Sequence, residues 1–114
     1  MRDADLLEIC TLPAIFAESG LSWRDLVARS PYARDPEVLT EDLLASFLDA
    51  RSDLVELWLA WSEDKRSTPS FFFRRSASGY ELGYVDRNGR VGPSESFEQP
   101  ERPCARFILR ELAV

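Results

Sequence analysis

Residues 58–75, WLAWSEDKRSTPSFFFRR, contain the change of pattern that decides the fold. Trp58 and Trp61 are three residues apart, so on a helix their side chains share one face. After Pro69 the chain continues with consecutive aromatic residues, and such runs bounded by turn-forming residues are typical of strands. We therefore predict that a helix ends within this stretch and that a β-sheet begins within it.

Upstream of this stretch, apolar residues recur at helical spacing. Leu6, Leu7 and Cys10 indicate a first helix. Residues 12–30 indicate two short helices, because Gly20 is suited to the left-handed conformation that ends a helix and a capping serine follows it. The N-terminal part of the chain is therefore predicted to be helical.

Residues 40–63 are compatible with two arrangements. Thr40 is a suitable N-cap, and the apolar stripe that follows keeps its phase through Trp61, which favours one long helix. Ser52 offers a second capping position after a break, which favours two helices. The sequence alone leaves both arrangements open.

Downstream, residues 70–98 alternate as extended segments separated by turn signals. Asn88 and Gly89 form one of the strongest hairpin dipeptides, and Pro93 makes the third strand short or irregular because proline cannot donate to a ladder. A last helix is predicted to begin near Pro103, because the residues that follow recur at helical spacing. The face expected to cover the sheet consists of Cys104, Phe107, Ile108, Glu111 and Leu112.

The sequence thus predicts a single domain over residues 1–114 of the α+β class. Its expected order is N-terminal helices, a three-stranded antiparallel β-meander and a C-terminal helix packed on the sheet. The chain has no long apolar run and begins without a signal-peptide pattern, so we expect a cytoplasmic protein that does not enter a membrane. Cys10 and Cys104 are expected to be free buried thiols.

Residue types that carry catalysis are scarce in this chain. It contains no histidine, which removes the usual general base and the commonest zinc ligand. No phosphate-binding loop, dinucleotide fingerprint or nucleophile elbow is present. Asp49 and Asp53 would share one face of a long helix, but such pairs are most often solvated surface. We expect no enzyme activity, no catalytic residue, no cofactor and no metal site.

Charge is divided unevenly along the chain. Residues 1–64 contain 14 acidic and 5 basic side chains, whereas residues 65–114 contain 6 acidic and 9 basic ones. The resulting net charges are −9 and +3. An acidic helical part repels nucleic acid and attracts basic proteins, so a basic protein partner is expected and nucleic acid is not.

The strand after Pro69 must divide its aromatic residues between two faces. Alternation places Phe71 and Phe73 on one side and Phe72 on the other, so the outer side either is covered or shows an aromatic patch. Arg74 and Glu81 would form a charged rim beside Phe72. Trp58, Trp61 and most phenylalanines are interpreted as core.

Two other functions remain open at this level. Residues 12–30 resemble the helix-turn-helix of bacterial regulators, although Arg24 and Arg29 give its second helix little positive charge for DNA. A small-ligand or enzymatic site could use Arg66, Arg74, Tyr80 and Glu81 in a cleft between helix and sheet.

The stretch WLAWSEDKR, the strand YELGYVD and the closing CARFILREL resemble small bacterial α+β domains of the kind that act as immunity proteins beside toxin genes. This resemblance covers about half the chain. It implies a binding protein without catalytic residues, whose acidic surface blocks a basic toxin. The residues predicted to bind the partner are Asp49, Asp53, Glu56, Phe72, Arg74 and Glu81.

Overall fold

The computed structural model describes residues 1–65 and 68–114. Its elements, in chain order, are α1 (Asp3–Cys10), α2 (Leu12–Ser19), α3 (Trp23–Arg29), α4 (Pro31–Arg34), α5 (Glu41–Leu48), α6 (Ser52–Asp64), β1 (Ser70–Ser76), β2 (Gly79–Val85), β3 (Glu95–Phe97) and α7 (Glu101–Leu112). The predicted α+β class, with helices before the sheet and a final helix packed on it, is confirmed.

The turn between α2 and α3 follows the predicted chemistry. Gly20 has φ 70°, in the left-handed region that glycine adopts without steric cost. The Ser22 hydroxyl then accepts the Asp25 backbone N–H at 3.1 Å, which caps the start of α3.

Residues 40–63 form two helices instead of one. Thr40 caps α5, and its hydroxyl accepts the Leu43 backbone N–H at 3.1 Å. Helix α5 ends at Leu48, and Ala50 in the connection to α6 has φ 61°, a left-handed conformation that is uncommon for alanine. Because this break separates Asp49 from α6, the expectation that Asp49 and Asp53 share one helix face is wrong.

The sheet has the order β1-β2-β3 with antiparallel neighbours. Phe73 lies opposite Leu82 in the first pair. The turn predicted at Asn88 is present, and a bridge between Val85 and Val91 follows it. β3 begins only at Glu95, so the third strand is short, as predicted from the proline before it.

The free edge of β1 is covered by α6. The Phe73 backbone N–H points away from β2 and donates to the Ser62 hydroxyl at 2.8 Å. This bond satisfies an edge group that an unprotected strand would offer to another chain. The sheet is therefore attached to the helical layer by both packing and a hydrogen bond.

The core lies between the sheet, α6 and α7. Trp58, Phe73 and Phe107 are all buried, with ring centroids of Trp58 and Phe107 6.2 Å apart and those of Phe73 and Phe107 5.9 Å apart. All five residues predicted to face the sheet from α7 are buried. Cys10 and Cys104 are buried free thiols. Among the described residues, no helix has both the length and the apolar content that a bilayer crossing requires.

Candidate binding groove

A groove of about 1060 Å³ lies where α2, the second half of α6, the start of β1 and the end of α7 meet. Its surface is mainly apolar, and a few charged side chains reach it. The residues that line it include Ala14, Phe16, Trp23, Ala60, Trp61, Asp64, Lys65, Phe71, Arg110 and Glu111. We call it the aromatic groove.

Three half-buried rings form one wall of the aromatic groove. The centroids of Trp23 and Trp61 lie 4.5 Å apart, and Phe16 meets Trp61 edge-on at 5.2 Å. Trp61 is only one helical turn from Trp58, yet Trp58 is fully buried whereas Trp61 retains partial exposure. Aromatic rings that are packed on one side and open on the other are suited to holding an apolar group.

A buried ion pair lies beside these rings. Lys65 Nζ is 2.6 Å from Glu111 Oε1, and their side chains are only 15% and 9% exposed. The same oxygen accepts the Trp61 indole N–H at 2.8 Å. The Trp23 indole N–H donates to the Glu111 backbone carbonyl, also at 2.8 Å. Both side-chain contacts use Oε1, so neither of them occupies the second carboxylate oxygen.

Two helix C-termini also reach the groove. The end of α6 contributes Asp64 and Lys65, and the end of α7 contributes Arg110 and Glu111. The last carbonyl groups of a helix carry partial negative charge and favour cations nearby. Lys65 is such a cation, held by Glu111. Arg110 has its guanidinium 4.9 Å above the centre of the Phe71 ring.

Exposed acids on α6 lead into the groove. The outward side of α6 presents Asp53, Glu56, Glu63 and Asp64 along its length, and we call these four residues the acidic stripe. Glu56 pairs with Arg75. Within the described residues, the other three form no ion pair within 4.0 Å. Asp64 belongs both to the stripe and to the groove wall, so the two features form one continuous surface.

The predicted partner residues fall into three places. Asp53 and Glu56 are exposed members of the acidic stripe. Asp49 is also exposed, but it caps α5 beside Arg51 and Phe47, on a different element from the stripe. The remaining three, Phe72, Arg74 and Glu81, lie together on the outward face of the sheet.

The outward face of the sheet does not present an open aromatic patch. Phe72 is only 9% exposed, because its ring folds over Gly83 and a Cβ atom there would lie 2.5 Å from the ring. Arg74 stacks 4.5 Å from the Phe72 ring centre, and its Nε donates to Glu81 at 2.9 Å. Phe72 is therefore protected by its own neighbours, and what faces solvent is chiefly the Arg74–Glu81 pair.

Folding redistributes the charge asymmetry of the sequence. Arg75 binds Glu56, and on α7 Arg102 and Arg106 bind Glu41 at 3.0 and 2.7 Å. The hydrogen bond from Arg106 holds the pKa of Glu41 below its usual range. Arginines from the basic part of the sequence thus neutralise acids from the acidic part, whereas Asp53, Glu63 and Asp64 form no ion pair with a described residue.

The polar set suggested for a small-ligand cleft does not meet in the groove. Arg74 and Glu81 lie on the outward face of the sheet, whereas Tyr80 lies on the inward face with its ring 6.0 Å from that of Phe73. Arg66 lies outside the described residues. In the segment that resembles a helix-turn-helix, Arg24 and Arg29 are exposed on a helix of 7 residues, and the Trp23 indole of the same helix donates to the Glu111 backbone carbonyl.

Sequence reasoning missed the polar centre of the groove. Glu111 was assigned to the apolar face of α7 on spacing alone. A carboxylate at such a position is itself a signal, because a charged side chain is buried only with a partner. That partner, Lys65, is 46 positions away and the only lysine in the chain. Pattern analysis of either segment alone does not reveal the pair.

Comparison of the chain with protein-family models, curated proteins and solved structures found no match. In the part of the chain that the structure describes, no three His, Cys, Asp or Glu side chains are grouped closely enough to hold a metal ion. The geometry of the groove and the acidic stripe is therefore the basis for inferring a function.

Proposed function

We propose that this chain is a non-catalytic protein-binding module that holds a basic partner protein. The observation that carries the proposal is the continuity of the acidic stripe with the aromatic groove, which meet at Asp64. A surface of this kind combines an apolar centre with a charged rim, the arrangement by which protein interfaces obtain affinity and orientation.

The two parts of this surface have different roles. Half-buried rings such as Trp23 and Trp61 supply apolar area that a partner side chain covers on binding, and such anchors dominate interface energies. Asp53, Glu63 and Asp64 supply a field that attracts a cationic partner and accelerates encounter. A partner with basic residues around an apolar projection fits both.

The finer form of the proposal concerns an immunity-type inhibitor. Its support is the resemblance of WLAWSEDKR, YELGYVD and CARFILREL to small bacterial immunity domains. In this form the partner is a basic toxin, and the acidic stripe occupies the cationic groove in which the toxin binds its substrate. Inhibition then follows from occlusion and needs no chemistry from this chain.

The test is capture of a partner from the host, followed by binding kinetics with two charge-matched variants. The first variant neutralises the stripe with Asp53→Asn, Glu63→Gln and Asp64→Asn. The second neutralises three exposed acids elsewhere, with Glu8→Gln, Glu37→Gln and Glu98→Gln. We expect the first variant to associate at least about tenfold more slowly at low salt and the second to change little. Equal effects from both variants, or a captured protein that binds both like the native chain, would contradict the proposal.

A small-ligand function is the second candidate, and the size of the groove favours it. A volume of about 1060 Å³ is comparable with that of sites for small organic ligands. Screening small apolar compounds by the melting temperature of the protein distinguishes the candidates. This second function would be favoured by a compound that raises the melting temperature of the native chain but not that of the Ala14→Leu chain. The same conclusion requires that no protein partner is captured.

A further inference from the structure

We infer that the aromatic groove receives a lysine or arginine side chain of the partner and that the carboxylate of Glu111 is the group that binds its charge. This inference rests on the proposed binding of a basic partner and names the recognition element within it. Glu111 would act as a binding residue, and Lys65 as an internal cation that holds the same carboxylate in the free protein.

The first support is the surroundings of the Glu111 carboxylate. A buried carboxylate requires a cation or several donors, and here Lys65 and the Trp61 indole both contact Oε1. No hydrogen bond within the described residues uses the other oxygen, and Glu111 lines the groove, so this is where a second cation would bind. Hydrogen bonds between a cationic donor and a carboxylate are among the strongest that proteins form.

The second support is the position of two helix ends, since the charged side chains of the groove balance as Asp64 and Glu111 against Lys65 and Arg110. The C-terminal residues of α6 and α7 both line the groove, and the last carbonyl groups of a helix carry partial negative charge that favours a nearby cation. Arg110 already stacks on Phe71, a ring that lines the groove. This contact shows that a cation is accommodated against a groove ring.

The third support is the shape of the groove wall. Long basic side chains place their methylene groups on apolar surfaces while the charged end reaches a polar partner. Trp23 and Trp61 offer such a surface, and Glu111 lies within hydrogen-bond distance of both indoles. An arginine lying across the rings would reach the carboxylate with its guanidinium group.

The experiment uses the three tryptophan indole N–H groups as separate NMR reporters in the full chain. Trp61 and Trp23 donate to Glu111, whereas Trp58 donates to the Cys10 carbonyl at 2.9 Å in the core and is an internal control. The probe is N-acetyl-arginine amide, and the matched control is N-acetyl-citrulline amide, which has the same shape without the charge. We expect saturable shifts of the Trp61 and Trp23 signals with the arginine compound only, while the Trp58 signal stays in place.

Two variants then identify the carboxylate. Lys65→Met removes the internal cation and should make the arginine probe bind several-fold more tightly. Glu111→Gln keeps an oxygen for the Trp61 indole but removes the charge, and it should abolish the preference for arginine over citrulline. Glu101→Gln, the same change at the opposite end of α7, should leave the titration unchanged.

Absence of a saturable shift in the native chain, or equal shifts from arginine and citrulline, would overturn the inference even if neither variant folds. Weaker or unchanged binding of arginine by folded Lys65→Met would also overturn it. These results are independent of the proposed function. If the chain binds arginine but no protein partner is found, only the proposed protein-binding function is refuted. If a captured partner binds the Glu111→Gln chain as it binds the native chain, only the role of Glu111 is refuted.

Discussion

Trp58 and Trp61 lie one turn apart on the same helix, and they belong to two different regions of the molecule. Trp58 is fully buried, with Phe107 at its edge and its indole bonded to the Cys10 carbonyl. Trp61 packs on Trp23 and Phe16, and its other side borders the aromatic groove. The same residue type therefore stabilises the fold in one place and lines a candidate binding surface in the other.

The comparison separates two uses of aromatic surface. In the core, Trp58 is fully buried in the folded chain, so its apolar area is removed from water by folding itself. In the groove, part of the Trp61 ring remains exposed after folding, and a bound partner would remove it from water. Stability and binding should accordingly respond to different substitutions.

The largest expected effect separates the two tryptophans directly. Trp58→Ala should lower the free energy of unfolding by about 3–5 kcal/mol, because it leaves a cavity in the core and an unpaired Cys10 carbonyl. Trp61→Ala should cost only about 1–2 kcal/mol, since part of the ring is already exposed. Urea unfolding followed by far-UV circular dichroism measures both. Equal losses would mean that Trp61 belongs to the core.

The next effect tests whether the groove is open space while the core is filled. Ala105 is fully buried on α7, so Ala105→Leu should overpack the core and lower the free energy of unfolding by about 1–3 kcal/mol. Ala14 is exposed and lines the groove, so Ala14→Leu should change it by less than about 0.5 kcal/mol. A strongly destabilised Ala14→Leu chain would contradict an open groove.

A third effect uses the core thiols. Burial raises the pKa of the Cys10 thiol to about 12 from its ordinary value of 9.0, and burial also raises the pKa of the Cys104 thiol. A raised folded-state pKa gives stability that is complete below pH 9 and is lost as the pH rises toward 12. At pH 10 the Cys10 thiol should therefore lower the free energy of unfolding by about 1 kcal/mol relative to pH 8, and the Cys104 thiol should act in the same direction.

Unfolding at these two pH values, with a Cys10→Ala/Cys104→Ala chain as the control, isolates the contribution of the thiols from that of other titrating groups. Alkylation extends the comparison to the groove. A thiol introduced by Ala14→Cys should react with iodoacetamide in the folded protein, whereas Cys10 and Cys104 should react only on unfolding. Fast alkylation of the native thiols in the folded chain would contradict the closed core.

The smallest effect concerns the helix that carries both tryptophans. Ala50, just before α6, has φ 61°, so Ala50→Gly should raise the free energy of unfolding by about 0.5 kcal/mol by removing steric strain. Ala60, exposed within α6, provides the matched control, because Ala60→Gly should lower it by about 1 kcal/mol. Loss of stability in both variants would contradict the strained junction. Both values follow from chemical denaturation.

Much of the fold was predictable because its signals are local. Gly20, Ser22 and Asn88 specify turns and caps through their own backbone and side-chain chemistry, and the structure shows both turns and the Ser22 cap. The sequence does not decide the break after Leu48, because the apolar stripe continues in phase across it. Only packing of α5 and α6 on the rest of the molecule selects the bent arrangement, with an alanine in a conformation that its sequence does not favour.

The candidate site was predictable only in part. Asp53 and Glu56 were recognised as exposed acids because an acidic helix face needs no knowledge of distant residues. Phe72 was considered as an aromatic anchor, but the absence of a side chain at Gly83 lets its ring lie flat on the sheet under Arg74. That cover depends on strand register, which the aromatic pattern of one strand does not contain.

The amino-acid sequence by itself determined the types of the elements, their order and most of the faces that they bury, because these follow from periodicity and turn chemistry within a few residues. Only the tertiary structure decided that Trp61 borders a groove while Trp58 fills the core, and that Lys65 meets Glu111. The physical reason is that exposure and ion pairing depend on which residues, distant in the sequence, pack beside a given side chain. A pattern within a few residues contains no information about those distant neighbours.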